Sequence, residues 1–454
     1  MADEPPDTPD SGPNSGPDSG RHRAVPSGRV ARLGTFGRLA GGVAGGVIGE
    51  GARRLARGER PRMRDLLLTP GNVGRLADRL SHLRGAAMKL GQMISMDAGD
   101  FLPAELAAIM AQLREQAYRM PPKQLAGVLA REWGADWKTR LSAFDANPIA
   151  AASIGQVHRA RLPDGTELAI KVQYPGVAES IDADVDNVAT LLRVSGLLPR
   201  ELDLGPLLDE AKRQLHEEAD YEREAGEMRR FADWLEDDAR YRVPRPIEEL
   251  TTQRILAMEF VAGDPIEALE TTRQDVRDTA MRDLMALVLR ELFEFGAMQT
   301  DPNFANYRYD RANECLVLLD FGAARDLKPD TAESYRAILS AGLAEDRAAV
   351  RRATIAAGFL GEAAAERHSA LVDRMIDIIV TEMNRPGPFD FGDRAFVATL
   401  REQGMEMAAD RATWHIPPVD TLFVQRKISG TALLAARLKA RVDVRALVRS
   451  YVTP

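Results

Sequence analysis

Two short polar segments in the C-terminal half carry residue types that metal-assisted phosphate chemistry uses. Asp301 and Asn306 are five residues apart in QTDPNFANY, residues 299–307. Asp320 ends the apolar run LVLL and begins the tripeptide Asp-Phe-Gly. Two carboxylates and an amide suit a site that holds Mg²⁺ against phosphate oxygens and orients an attacking hydroxyl or water. Either segment alone also suits an ordinary turn, because Asp-Pro and Pro-Asn favour turns, so the prediction depends on their joint occurrence.

A lysine within an apolar segment is the next candidate. Lys171 lies in LAIKV, residues 168–172, whose composition predicts a β-strand. A strand lysine after an apolar pair is typical of protein kinases, where it contacts the α and β phosphates of ATP. The spacing of Asp301 and Asn306, with Asp320 following, is also that of a kinase catalytic loop and its metal-binding aspartate. A solvated strand lysine is the alternative.

The segment before this lysine departs from the glycine-rich loop of a kinase. AAASIGQV, residues 150–157, has alanines where that loop has glycines, and only Gly155 remains. Glycine permits positive φ and a close approach of the backbone to phosphate, so we expect this loop to hold a nucleotide in a different manner. The expected phosphate contacts are Ser153 and the backbone of Ala151, Ala152 and Gly155.

An acidic segment, residues 207–228, is predicted as one helix. A kinase needs a helical glutamate to pair with its strand lysine, and Glu224 is the candidate. Glu218 lies six residues earlier, about 120° away around the helix axis, so that one helix would aim two carboxylates at two lysines. Asp220 and Glu224 share a face at i, i+4. A solvated acidic face is the alternative.

The second lysine is Lys89, in a segment predicted to be helical over residues 79–95. An apolar stripe follows one face of this helix, while Lys89 and Gln92 lie together on the opposite face. In a free-standing helix that face would be solvated. If another domain covers it, Lys89 loses solvent and needs a carboxylate, for which Glu218 is the expected partner. We predict that this pair forms a latch, to which Gln92 and Asp220 also belong.

The predicted elements run from helices, through a small β-rich unit, to a large helical region. A Pro-Asp-Gly turn between two apolar runs predicts a hairpin within residues 146–175, and short strands are predicted in residues 242–262. The last of these ends in Met-Glu-Phe-Val, interpreted as a hinge where Glu259 and Val261 would bind adenine through the backbone. This order predicts an α+β, bilobal, protein-kinase-like fold.

Composition disfavours several other classes. The 454 residues include 60 Lys and Arg against 68 Asp and Glu, a net charge of −8, which disfavours a general nucleic-acid binder. One cysteine and six histidines disfavour a disulfide scaffold and a zinc site. The sequence has no uninterrupted apolar run of about 18 residues. No ordinary membrane-spanning helix is therefore predicted.

The N-terminal region has two compositions. Residues 1–28 are rich in Pro, Gly, Ser and Asp, which predicts a disordered tail. Residues 29–64 are basic and glycine-rich, with Gly37, Gly41 and Gly45 at four-residue spacing. This spacing lets two helices approach closely, and basic flanks favour an anionic membrane surface. A membrane-associating segment and a homodimer are therefore predicted, and a flexible linker is the alternative.

Together these segments resemble the UbiB-type atypical kinase-like family, the group linked to coenzyme Q biosynthesis, over about residues 30–450. The matching positions are Lys89 to Gln92 (the KxGQ motif), Ala150 to Val157 (an alanine-rich loop), Lys171, Glu218 to Asp220 (the ExD motif), Glu224, Asp301, Asn306 and Asp320. VQYPGVAESI and LFVQRKISGT are most similar to the mitochondrial-type subgroup and its bacterial relatives. The resemblance implies a helical KxGQ extension over residues 65–145, a kinase-like N-lobe with a helical insertion over residues 146–262, and a large helical C-lobe over residues 263–454.

The resemblance also implies ATP and Mg²⁺ as cofactors, with ATPase-type activity in support of ubiquinone biosynthesis. Lys171, held by Glu224, would orient the phosphates. Asn306 and Asp320 would hold Mg²⁺, and Asp301 would orient or deprotonate the attacking water or hydroxyl. Quinone-precursor lipids and ubiquinone-biosynthesis proteins are the expected partners. The resemblance to bacterial relatives also implies a cytoplasmic location at the periphery of the inner membrane.

Three functions remain open from the sequence. The first is an ATPase or a kinase for a small molecule or lipid, because a covered cleft admits ATP but excludes a bulky peptide. The second, a protein kinase, is disfavoured because the chain enters a predicted helix soon after Asp320, without an Ala-Pro-Glu sequence. The third is a non-catalytic scaffold that binds a lipid or a partner and uses nucleotide as a structural ligand.

Overall fold

The computed structural model describes residues 120–452 of the protein, apart from residues 153, 196–204, 394, 409 and 411–416. Helices and strands are numbered below from the first described element. The predicted segments 1–28 and 29–64 lie outside the described residues, as do Lys89, Gln92 and Ser153.

A five-stranded antiparallel sheet forms the N-terminal lobe. Its strands are β1 (Ala143–Phe144), β2 (Ala150–Ala151), β3 (Gly155–Arg161), β4 (Glu167–Gln173) and β6 (Ile255–Glu259). Their order is β1-β3-β4-β6, with β2 also paired to β3. Gly165, with φ 94°, lies in the turn between β3 and β4, where the Asp164 carboxylate accepts the Thr166 N–H at 2.9 Å. The hairpin predicted from Pro-Asp-Gly is confirmed.

Alternation along β4 decides which of its residues face the other lobe, because successive strand residues point to opposite sides of a sheet. Leu168, Ile170 and Val172 are fully buried in a core behind the sheet. Lys171 lies between the last two of these residues in sequence and therefore points to the opposite side.

A helix that lies before the predicted boundary at residue 146 packs against the N-lobe sheet. Helix α1 (Pro122–Trp133) contributes its buried face to the core behind the sheet, and the Trp133 indole N–H donates to the Leu250 carbonyl at 2.9 Å. In addition, β1 pairs with β3. The end of the predicted extension, from residue 120, therefore packs against this lobe, and the domain boundary at residue 146 stays a prediction.

The acidic segment forms two helices instead of the one predicted. Helix α2 (Ile181–Ser195) precedes α3 (Gly205–Glu218) and α4 (Tyr221–Trp234). Asp220 has extended backbone angles, and its carboxylate accepts the Arg223 N–H at 3.0 Å, which satisfies an amide at the start of α4 that has no partner within the helix. Glu218 and Glu224 therefore belong to different helices, and the angle predicted between them on one helix is wrong.

Small sheets position the polar segments of the C-terminal lobe. One sheet has the order β5-β10-β9-β7, built from β5 (Tyr241–Arg242), β7 (Asp264–Pro265), β9 (Tyr307–Asp310) and β10 (Cys315–Leu318). Two-stranded sheets join β8 (Ala297–Gln299) to β11 (Ala324–Asp326) and β12 (Phe389–Asp390) to β13 (Arg441–Val442). The loop from β8 to β9 carries Asp301 and Asn306, and Asp320 follows β10.

Helices make up the rest of this lobe, as predicted. They are α5 (Gln274–Arg290), α6 (Pro329–Leu343), α7 (Arg347–Ala356), α8 (Glu362–Arg367), α9 (Ser369–Met383), α10 (Ala395–Ala408), α11 (Val419–Leu438) and α12 (Val444–Val452). A π-helical turn, Glu291–Phe295, follows α5 directly. Within the described part of the chain, no helix combines the length and apolar character needed to cross a membrane.

Candidate active site

A buried ion pair joins the N-lobe sheet to helix α4. The Lys171 ammonium lies 2.9 and 2.8 Å from the two carboxylate oxygens of Glu224, and the side chains are 9% and 1% exposed. Lys171 also lies 3.3 Å from Oδ2 of Asp320. The structure therefore brings Lys171 together with two carboxylates that lie 53 and 149 residues further along the sequence.

Charge and burial act against each other in this cluster. Burial alone would lower the pKa of Lys171, but the charges of Asp320 and Glu224 outweigh it and raise that pKa well above its usual value. Burial raises the pKa of Glu224 to about 7, although Lys171 acts in the opposite direction. Lys171 is therefore a fixed positive charge at neutral pH, next to a carboxyl group that gains a proton easily.

The backbones of Asn306 and Asp320 lie close together because β9 and β10 pair as an antiparallel hairpin. Tyr307 pairs with Leu318 at the end of the ladder, and the Leu319 N–H donates to the Asn306 carbonyl at 3.0 Å. Asn306 directly precedes the first of these strands, and Asp320 follows the second. This pairing explains how an amide and a carboxylate from separate segments reach one place.

Hydrogen bonds fix the conformation of the Asp-Phe-Gly segment. Oδ1 of Asp320 accepts the Gly322 N–H at 3.0 Å, while Oδ2 faces Lys171. The Arg223 guanidinium of α4 donates to the carbonyl oxygens of Gly322 and Ala324. Helix α4 therefore holds the Asp-Phe-Gly segment through Arg223, in addition to its Glu224 contact with Lys171.

Asp301 pairs with an arginine that the sequence did not indicate as a site residue. Arg426 of α11 lies 3.1 Å from Oδ1 of Asp301, with 9% of the arginine side chain exposed. The Asn306 side-chain amide donates to the Asp301 backbone carbonyl at 3.2 Å. This hydrogen bond links the two residues within the loop. The sequence LFVQRKISGT within α11 indicated a family resemblance, but it did not indicate that this helix contacts the loop of Asp301.

Gly430, one turn further along α11, allows this helix to approach the loop. A Cβ atom at this position would lie 2.3 and 2.4 Å from the Cβ and Cγ atoms of Pro302, which follows Asp301. Real Cβ atoms do not approach carbon so closely, and the proline ring cannot rotate away. Only glycine therefore fits here without moving the loop.

We expect Gly430→Ala to displace the loop and to lower ATP hydrolysis by about tenfold, because small misplacements of catalytic groups have effects of this order or larger. Gly404→Ala is the matched control, since Gly404 also lies within a helix and a Cβ there meets nothing within 4 Å. Steady-state kinetics on both variants check the prediction, and equal rates in the two would refute it.

The alanine-rich loop is a tight turn against the site. Ala150 and Ala151 pair with β3, and the Ala152 N–H donates to the Gly155 carbonyl at 2.9 Å. A Cβ at Gly155 would lie 2.4 Å from the Val172 carbonyl oxygen and 2.9 Å from the Tyr221 hydroxyl. The one glycine retained in this loop is therefore needed for close packing; phosphate contacts by Ala151, Ala152, Ser153 and Gly155 stay predictions.

Gly155→Ala should lower the melting temperature, because the obstructing atom belongs to the backbone of the central strand β4 and cannot move independently. Gly127→Ala in α1 is the control: a Cβ there has open space, and alanine favours a helix over glycine by about 0.5–1 kcal/mol. Thermal unfolding of both variants measures the difference, and an unchanged midpoint for Gly155→Ala would count against this packing argument.

The predicted hinge residues lie at the end of β6, the last strand of the N-lobe sheet. Glu259 ends β6, where its N–H donates to the Arg245 carbonyl at 3.0 Å, and the next N–H, that of Phe260, donates to the Glu167 carbonyl at 2.8 Å. Both amides are thus committed within the protein. Adenine binding by Glu259 would have to use its carbonyl oxygen, and Val261 is buried next to it.

Only one half of the predicted latch lies within the described residues. Asp220 acts as the helix cap of α4. Glu218 ends α3. Burial raises the pKa of Glu224 most, Lys171 lowers it, and the charges of Asp320 and, to a smaller extent, Glu218 raise it. The pairing of Glu218 with Lys89 stays a prediction.

The donor set suits Mg²⁺ held together with phosphate. Among the described residues, no group of three or more His, Cys, Asp or Glu side chains could hold a metal ion alone. Mg²⁺ differs from zinc in that it needs only one or two protein oxygens besides phosphates and water. Asn306 and Asp320, adjacent at the end of the β9–β10 hairpin, meet that requirement.

Known proteins share both the sequence and the architecture. Residues 112–354 match the ABC1 atypical kinase-like domain. The atypical kinase COQ8, mitochondrial, of Saccharomyces cerevisiae is 36% identical over 92% of this chain and 84% of its own length. The rat protein named atypical kinase COQ8B, mitochondrial, is 38% identical over 94% of this chain and 81% of its own length.

A solved structure with the same fold is that of Rv3197 from Mycobacterium tuberculosis, determined in complex with erythromycin. Its TM-score is 0.57 and its identity 25%, over 84% of this chain and 96% of the other. The predicted bilobal kinase-like fold is therefore confirmed, as is the prediction of an ATP-binding atypical kinase of the coenzyme Q group. Sequence and architecture agree that the chain belongs to the ABC1 atypical kinase-like family.

Proposed function

We propose that the protein binds ATP with Mg²⁺ where its lobes meet and transfers the terminal phosphoryl group to water or to a small or lipid acceptor, in support of ubiquinone biosynthesis. One observation carries the proposal. Lys171 of the N-lobe contacts Asp320 of the C-lobe, and Asp320 is adjacent to Asn306 through the backbone bond of Leu319. The proposed phosphate-binding cation therefore lies against one proposed metal ligand, and the backbone of the second, Asn306, is bonded to the residue before Asp320.

Each residue has a distinct role in this proposal. Lys171 orients the α and β phosphates, and Glu224 holds the ammonium in position. Asn306 and Asp320 hold Mg²⁺, which when bound would neutralise charge on the phosphates.

Asp301 orients the attacking water or hydroxyl, as the catalytic-loop aspartate of a kinase does. Its contact with Arg426 at 3.1 Å restrains the carboxylate, because a guanidinium is a rigid, planar donor of hydrogen bonds. The Asn306 amide restrains the same residue through its backbone carbonyl. Asp301 is thus held on both sides before substrate binds.

The acceptor and the location extend this proposal. The relatives are named mitochondrial kinases, which supports quinone-precursor lipids and ubiquinone-biosynthesis proteins as partners. The basic segment of residues 29–64 would bring the protein to an anionic membrane surface. The segment bearing Lys89 would cover the cleft, with Lys89 paired to Glu218.

Phosphate release by the full-length protein tests the proposal. We expect ATP hydrolysis that requires Mg²⁺, is lost in EDTA, and increases with detergent or with vesicles that contain a quinone-precursor lipid. Nucleotide binding without hydrolysis under all these conditions would favour the scaffold function instead. Efficient phosphorylation of added proteins would indicate a protein kinase.

A further inference from the structure

A lysine ammonium is completely buried beneath the loop of Asp301 and Asn306. Lys427 of α11 has no exposed surface, and its Nζ atom lies 2.9 Å from the Tyr307 hydroxyl and 3.2 Å from Oε1 of Gln299. The nearest carboxylate is that of Glu291, at 3.5 Å and equally buried.

The two hydrogen-bond partners of this ammonium lie at opposite ends of one loop. Gln299 is the last residue of β8, and Tyr307 is the first residue of β9. The seven residues between them include Asp301 and Asn306. Contact with a single nitrogen atom fixes the separation of the two ends, and with it the course of the chain between them.

We propose that Lys427 is a positioning residue that closes the ends of the catalytic loop, so that Asn306 and Asp301 are aligned with Asp320 before Mg²⁺ and ATP bind. This inference rests on the proposed function, because it assigns Asn306 to the metal. Lys427 touches neither the nucleotide nor the metal in this arrangement, and acts through Gln299 and Tyr307.

The orientation of Gln299 depends on this contact. Its side-chain Oε1 accepts from Lys427, while its buried Nε2 has no hydrogen-bond partner within the described part of the protein. A buried amide with one donor unsatisfied is costly, and the Lys427 bond is the interaction that holds it in place. The Gln299 N–H in turn approaches Oε1 of Glu291 at 3.4 Å.

Electrostatics keep Lys427 charged. Burial alone would lower the pKa of Lys427, but Glu291 and Tyr307 raise it above its usual value. Burial raises the pKa of Glu291 against the effect of Lys427. Glu291 is placed by the π-helical turn that begins at this residue, and such turns are frequent at functional sites.

Stability alone does not account for a charged cluster at this place. Two apolar side chains of similar volume are often as stable as a buried ion pair or more stable, whereas loss of one partner leaves an uncompensated charge. An ammonium provides several directed hydrogen bonds at once, which an apolar side chain cannot. Removal of one charge and removal of both charges should therefore have different effects on stability and on activity.

The experiment compares Lys427→Met with the double variant Lys427→Met/Glu291→Gln in the full-length protein. The single variant should lower the melting temperature by several degrees, and the double variant should regain at least half of that loss. In both variants kcat should be 10- to 100-fold lower than in the wild type, a loss typical of changes at residues that support metal ligands. The KM for ATP should change by less than about threefold. The Mg²⁺ concentration that half-saturates ATP binding should rise about tenfold in both.

Lys328→Met is the matched control, because Lys328 is 81% exposed; all its measured values should equal those of the wild type. Recovery of kcat and of Mg²⁺ dependence together with melting temperature in the double variant would overturn the inference, since Lys427 would then only stabilise the fold. If the wild-type protein bound ATP with Mg²⁺ but never released phosphate, the proposed hydrolytic activity would be refuted. The Mg²⁺ dependence of ATP binding by the variants would still test the role of Lys427. ATP binding by the wild type that is independent of Mg²⁺ would overturn both.

Discussion

Asp320→Asn should lower kcat for Mg²⁺-dependent ATP hydrolysis by about 100-fold or more. Residues that merely support a metal ligand contribute 10- to 100-fold, so a direct ligand should contribute at least as much. An amide keeps an oxygen that can accept the Gly322 N–H, at 3.0 Å in the present structure, but it carries no charge to attract Mg²⁺. The variant should therefore fold normally, bind Mg²⁺ weakly and hydrolyse little ATP.

Asp237→Asn provides the control for the same chemical change at an exposed aspartate. Kinetics over a range of Mg²⁺ concentrations and thermal unfolding should be measured for both variants. If Asp320→Asn kept more than about a tenth of the wild-type kcat at saturating Mg²⁺, Asp320 would not be a metal ligand of the reaction. Unfolding of this variant at a much lower temperature would instead show a structural role.

Lys171→Met should weaken ATP binding and destabilise the protein, with a penalty that increases with pH. The variant leaves the fully buried carboxyl of Glu224 without its cation, and loss of one partner of a buried pair costs about 3–5 kcal/mol. Burial already raises the pKa of Glu224 to about 7 with Lys171 present, and removal of the ammonium should raise it further.

The sign of the pH dependence follows from proton uptake. A carboxyl whose pKa is higher in the folded protein than in the unfolded chain binds a proton more readily when folded, so stability falls as pH rises between the two values. In Lys171→Met this pH window begins at the ordinary pKa of a glutamate. It ends at the pKa of Glu224 in the folded variant, which is higher than in the folded wild-type protein. The penalty relative to wild type should therefore be larger at pH 8 than at pH 5.5.

Urea denaturation at the two pH values measures this effect, and ATP titration measures the loss of affinity. The double variant Lys171→Met/Glu224→Gln is the matched control: with no ionisable group at position 224, the added pH dependence should disappear although ATP binding stays weak. A penalty for Lys171→Met that was equal at both pH values, or larger at the lower one, would contradict the coupling of these two groups.

Local spacing identified several residues that the structure brings together in the candidate site, because these residues lie at the ends of short elements formed by neighbouring parts of the chain. The five-residue spacing of Asp301 and Asn306 is a property of one loop, and Asp320 ends a strand that pairs with the strand after that loop. The position of Lys171 on β4 follows from alternation within the strand. The break before Tyr221 was equally local: Asp220 is a helix-capping residue type, and this signal was missed when residues 207–228 were interpreted as one helix.

The sequence by itself determined which residue types are present and how short segments around them fold: the hairpin of β3 and β4, the segments that carry Asp301, Asn306 and Asp320, and the family pattern. Only the tertiary structure decided that α11 supports the catalytic loop, with Arg426 against Asp301, Lys427 joining the ends of the loop and Gly430 against Pro302. More than 100 residues separate this helix from the loop. Contacts over such distances depend on how the helices and loops of the C-lobe pack, which neither periodicity nor motif spacing encodes, since both describe neighbours along the chain.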